Sequence, residues 1–118
     1  MQNTLTGLFN PESNRLDAKL IAEEWNMPVA IIAAAIGRKP AGVRKNPDGE
    51  SLQAELRRLY CIWASLLELY AGNAAHARIF FYAPNPLLEN RAPIEFIEKG
   101  DLAPLELLTD AMSARQPA

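Results

Sequence analysis

The side chains of this sequence with the richest chemistry stand alone. Cys61 is the only cysteine and His76 the only histidine, so neither an internal disulfide nor a zinc site built from the usual ligands can be assembled. Both read as packed or half-exposed helix residues. No Ser or Cys stands close to His76, no glycine-rich phosphate loop is present, and no paired acids lie in an evident apolar setting, so the sequence predicts neither catalysis nor a cofactor. What remains is binding chemistry. Arg38, Lys39, Arg44 and Lys45 fall between Pro28 and Pro47, a stretch without an acid in a chain of formal charge −2. Such cations can hold phosphates or reach a guanine edge; equally, they suit a solvated helix end, where they face the terminal carbonyls. A second polar group, Glu89, Asn90 and Arg91, interrupts an apolar region just after Asn85. Arg91 there fits either the carbonyls at the end of a short helix or a carboxylate. For Asn85 and Arg91 alike, turn stabilisation and partner contact are both open.

The elements that must position these residues are helices. Ala and Leu outweigh Val and Thr, 49% of the chain is hydrophobic, and no alternating run of strand length stands out, so the fold class is all-α. A chain of 118 residues fits one continuous core and buries roughly two-thirds of its unfolded surface. Its net charge predicts no general affinity for nucleic acid or anionic membrane, so such binding must come from local charge. The N-terminus lacks the charged start and apolar core of a signal peptide. No later stretch reaches the roughly 20 apolar residues of a membrane span, and a cytoplasmic location is expected.

Residues 1–14 mix polar side chains with Gly7 and Pro11 and read as a flexible or loosely docked arm, in which Leu5, Leu8 and Phe9 could pack on a neighbour. From Arg15 to Trp25 the apolar positions Leu16, Leu20, Ile21 and Trp25 follow helical spacing. Pro28 opens a very apolar helix that stops at Gly37, and Pro40 restarts a short one through Lys45. Ala33, Gly37 and Val43 together resemble a helix-turn-helix, which needs a small residue at the crossing and a glycine in the turn. Ile32, Ile36 and Val43 would be its shared core, and Gly42 costs the second helix about 1 kcal/mol relative to Ala. If that helix enters a DNA groove, Arg38, Lys39 and Pro40 face the groove mouth while Arg44 or Lys45 reaches phosphates.

Asn46-Pro47-Asp48-Gly49 is a strong turn signal and sets a boundary between residues 15–48 and residues 49–118. Beyond it, Glu50 to Tyr70 forms the longest helix, with Leu52, Leu56, Leu59, Tyr60, Trp63, Leu66, Leu67 and Tyr70 three or four residues apart. So wide a stripe could be all monomer core or could also take a partner helix, which makes a homodimer through this helix the expected assembly. Gly72 closes the helix and Asn73 caps the next, which carries Phe80, Phe81 and Tyr82. Three adjacent aromatics face several directions, so at least one should lie outside the core or under the following corner.

That corner, Phe81 to Pro93, is where the chain turns. Asn85 before Pro86 is an N-cap followed by a first-turn proline, and Pro93 repeats the device before an apolar run ending at Gly100. Asp101 is placed to cap a last helix running to about Ser113, with Pro104 tolerated in its first turn. Pro84-Asn85-Pro86, Leu87-Leu88, Arg91-x-Pro93 and Leu107-Leu108-x-Asp110-Ala111-Met112 resemble the toxin-binding domain of the Xre/MbcA/ParS antitoxins, over a span from about Leu56 to Met112. Ala92 stands where a hydroxyl N-cap is more usual in that pattern.

The resemblance implies an antitoxin that pairs an N-terminal Xre-like helix-turn-helix with a C-terminal helical domain binding and silencing a toxin. Many partner toxins of the family carry a RES domain and destroy NAD. On this analogy the toxin is met by Leu56 to Ala118, with Asn85, Leu87, Leu88, Arg91 and Arg115 as contacts, and the operator by Arg38, Lys39, Arg44 and Lys45. A stand-alone transcriptional regulator or a protein–protein adaptor of the same fold is the alternative.

Overall fold

Helix boundaries in this protein fall where single side chains satisfy or withhold backbone hydrogen bonds. A computed structural model describes residues 5–114, and all the regular structure among them is helical apart from two isolated antiparallel bridges, Phe9 with Leu16 and Asn85 with Arg91. The first long element, α1, runs Ala18–Trp25 rather than from Arg15, because the Asp17 side chain accepts from the backbone N–H groups of Lys19 and Leu20. Asp17 is buried. Its other oxygen accepts from Asn10 Nδ2 at 3.1 Å. With that bond, the buried Leu8 and the pairing of Phe9 with Leu16, the segment from Leu5 onward is docked, the second of the two expectations for it, and Leu5, Leu8 and Phe9 are the side chains that pack.

Pro28 precedes α2 (Val29–Ala35), and α3 (Pro40–Lys45) follows after a turn in which Gly37 takes a φ of 69°. The sharp turn suits glycine, which alone enters the left-handed region without cost. Val43 is buried beneath α3, and Ile32, Ala33 and Ile36 are buried along α2, as the sequence pattern predicts. A 3-10 turn at Glu50–Leu52 then leads into the 17-residue α4 (Gln53–Leu69). Leu56, Leu59, Ile62, Trp63, Leu66 and Leu67 of α4 are all buried within this one chain. Its stripe is wide because α5 (Ala74–Phe80), α7 (Ala103–Ala114) and the N-terminal Phe9 and Trp25 all pack on it, which leaves Tyr60 and Tyr70 only half-buried and no broad apolar face for a second copy.

Asn73 caps α5 by accepting from His76 N at 3.1 Å. After the corner comes α6 (Pro93–Lys99), where Glu95 accepts from Ala92 N at 3.3 Å and so makes the half of a capping box that an alanine N-cap permits. α6 lies against α2, and α7 against α4. Asp101 is not the cap of α7: that helix starts at Ala103, and the Leu102 carbonyl accepts from Glu106 N at 2.9 Å.

The boundary at Asn46–Gly49 separates segments but not cores. Trp25 of α1, Trp63 of α4 and Phe81 at the end of α5 form one aromatic cluster, with ring centroids 4.5 to 6.0 Å apart. Gln53 adds a polar clamp, donating to Leu16 O and accepting from Leu16 N at 2.9 Å each. Arg78 donates to Glu24 O at 2.9 Å, tying α5 to α1. The radius of gyration, 13.8 Å, matches the about 13.5 Å of a single compact domain of this length. No helix among the described residues is long and apolar enough to cross a membrane.

Candidate functional site

Two surfaces collect the residues singled out by their chemistry. The first is the corner between α5 and α6. Phe81 is fully buried and lies nearly parallel to Trp63, and its carbonyl accepts from Ile94 N at 2.8 Å, so the end of α5 and the start of α6 are fixed to the core and to each other. Between them Asn85 organises the chain. Its side chain accepts from Leu87 N at 2.9 Å, its carbonyl accepts from Leu88 N and Asn90 N at 2.9 Å each, and its own N–H donates to Arg91 O at 3.0 Å. Asn85 is thereby a structural residue.

These bonds hold Glu89 and Asn90 in consecutive left-handed conformations, φ 57° and 63°, a region that costs about 1 kcal/mol or more at Glu89 and that Asn enters more readily. The turn splits the leucine pair. Leu88 is buried and anchors the corner, so its side chain is no surface contact, whereas Leu87 is 65% exposed. Leu107 and Leu108 divide the same way, with Leu107 outward. Arg91 caps no carbonyl with its side chain: its guanidinium makes no hydrogen bond or ion pair among the described residues and stands at the surface. Arg115 lies outside the described residues.

Further apolar surface lies at the start of the corner and the end of α5. Ile79 and Tyr82 are 61% and 54% exposed, and residues three apart at a helix end point to the same side. Of the three adjacent aromatics, Phe80 and Phe81 are buried and Tyr82 is the one outside. A helical wheel alone would have put one of them out without saying which.

The second surface is the face of α3. Arg38 does not belong to it as a free cation: it donates to Glu55 Oε1 at 2.8 Å and to Ser51 O at 3.1 Å, joining the turn after α2 to α4. The hydrogen bond from Arg38 holds the Glu55 carboxyl below the usual carboxylate range. Lys39, Arg44 and Lys45 are exposed and make no such bonds. Between them α3 presents Ala41 and Gly42, small enough for close approach to a flat or grooved partner. A cleft of about 370 Å³ beside α3 is lined by Arg38, Lys39, Gly42, Val43, Asn46 and Glu50, among others. Lys19 of α1 shares a separate cavity with Arg44; the residues are far apart in sequence, and no local signal links them.

No family model, curated protein or solved structure matches this chain. Among the described residues no group of three His, Cys, Asp or Glu side chains is placed to hold a metal ion.

Proposed function

We propose that the chain is a cytoplasmic antitoxin that binds and neutralises a cognate toxin, of the RES-domain, NAD-degrading type, through the Asn85–Arg91 corner. On this reading it also represses its operon by placing α3, as the second helix of a helix-turn-helix, on operator DNA, and acts as a homodimer because paired half-sites need two such helices. The observation that carries the toxin-binding part is the corner itself: backbone strain and six internal hydrogen bonds, five of them between backbone groups, are used to hold an outward Leu87 on the same turn as an unpaired Arg91. Exposed apolar side chains with a cationic neighbour on a rigid support are the makings of an interface anchor. Ile79 and Tyr82 enlarge it, while Asn85 and Leu88 act from below as its frame.

Leu87→Asp tests the reading. Because Leu87 is exposed, the variant should fold and accumulate as the parent does. In cells co-expressing a RES-domain toxin that the parent chain neutralises, it should let cellular NAD fall. Full protection by Leu87→Asp combined with Tyr82→Asp, at equal abundance, would remove the corner as the contact.

The free cations Arg44 and Lys45 favour a second reading, a regulator that binds DNA without a toxin. A chain that retards operator duplex but neither binds nor silences the co-expressed toxin is the result that selects it.

A further inference from the structure

We infer that Lys19 and Arg44 form a cradle for one backbone phosphate of duplex DNA, with Val29 as its apolar wall. The inference rests on the reading of α3 as a DNA-contacting helix and extends it to α1. The three residues line one cavity of about 300 Å³. Lys19 comes from the first turn of α1, Val29 opens α2 and Arg44 lies in the last turn of α3, so three elements converge on a site that none could build alone.

Both cations are exposed, and neither side chain makes a hydrogen bond or ion pair among the described residues. The acids nearby form no ion pair with either of them among the described residues. Asp17 directs its carboxylate to the start of α1 and to Asn10, and Glu23, one turn along from Lys19, borders the adjoining cleft without pairing to it. Two like charges carried by residues that line one cavity gain by sharing an anion. An ammonium supplies a point charge and a guanidinium a planar fork, which together suit the non-bridging oxygens of a phosphate. The half-buried Val29 adds a preference, since a phosphodiester brings sugar methylenes to pack on it and an inorganic phosphate does not. A phosphate held between α1 and α3 fixes the angle at which α3 meets the groove; it carries no base information itself.

The test is fluorescence anisotropy of a labelled duplex from the region upstream of the coding sequence, titrated with the full chain over a series of KCl concentrations. Neutralising one phosphate contributes about 0.9 to the slope of log K against log salt. Lys19→Ala and Arg44→Ala should each weaken binding at low salt and flatten that slope, and Lys19→Glu should weaken it further than Lys19→Ala. Because one phosphate is shared, the double alanine variant should lose about 0.9 of slope in all; a loss of about 1.8 would mean separate phosphates and overturn the cradle. Binding by the parent that is weakened by Arg44→Ala but unchanged in strength and slope by Lys19→Ala would defeat this inference alone. No binding of duplex by the parent chain would defeat it together with the reading of α3.

Discussion

Gly100 ends α6 with a φ of 71°, and a Cβ added there would lie 2.8 Å from the Ala34 carbonyl oxygen of α2. That oxygen is main chain and has little room to yield. Gly37 has a similar φ of 69° but open space around its missing Cβ. Gly37→Ala should therefore destabilise by about 1–2 kcal/mol, the strain of the left-handed region alone. Gly100→Ala adds an overpacking cost of about 1–3 kcal/mol, because α2 and α6 must separate. Urea midpoints of the two variants compare the sites directly, and equal shifts would show that the α2–α6 approach is not tight in solution. Asp17 is the other residue whose loss acts locally, since it caps α1 and accepts from Asn10 while buried. Asp17→Ala should cost about 1–2 kcal/mol.

Elements are joined by exposed ion pairs that matter more for pH response than for stability. Arg58 of α4 donates through Nε and a terminal nitrogen to both oxygens of Glu106 on α7, at 2.9 and 2.6 Å. These bonds hold the Glu106 carboxyl below the usual carboxylate range. A carboxyl so depressed in the folded state contributes stability that is fully present above the unfolded value of about 4.3 and is lost as pH falls through the folded value. Arg58→Ala should consequently cost at most about 1 kcal/mol at pH 7, both side chains being partly exposed. Parent and variant should converge in strong acid, a contrast that urea unfolding at neutral and acid pH will reveal. Arg38 is committed to Glu55 through one terminal nitrogen, which separates it from Lys39, Arg44 and Lys45. Arg38→Ala should leave duplex affinity nearly unchanged where Arg44→Ala lowers it. Equal losses in anisotropy titrations would return Arg38 to the α3 face.

At the scale of the whole molecule, the aromatic cluster makes one cooperative unit of what the turn at Asn46–Gly49 divides in sequence. Trp25 and Trp63 are fully buried and stand on opposite sides of that turn. Unfolding followed by tryptophan fluorescence and by far-ultraviolet circular dichroism should therefore give coincident transitions. Separate midpoints would mean that residues 15–48 and 49–118 melt independently. Trp63→Ala should cost about 3–5 kcal/mol, a large share of the about 5–15 kcal/mol that holds a domain folded. A surface variant such as Leu87→Asp should leave the midpoint in place, which keeps loss of partner binding distinct from loss of fold.

The helical class, the breaks at Pro28, Gly37, Pro40, Gly72, Pro86 and Gly100, and the caps at Asn73 and Asn85 were all readable from the chain alone. Each depends on bonds made or withheld within a few residues, so neighbours in sequence suffice. Asp17 lay within reach of the same logic, but a stripe reading of the first helix from Arg15 concealed its cap. The tertiary structure decided which member of each leucine pair turns outward, that the α4 stripe is consumed by the chain's own core, that Arg38 is bound to Glu55, and that Lys19 stands beside Arg44. Those outcomes follow from packing between elements distant along the chain. Local periodicity gives the face on which a side chain lies; only the other helices determine what that face meets.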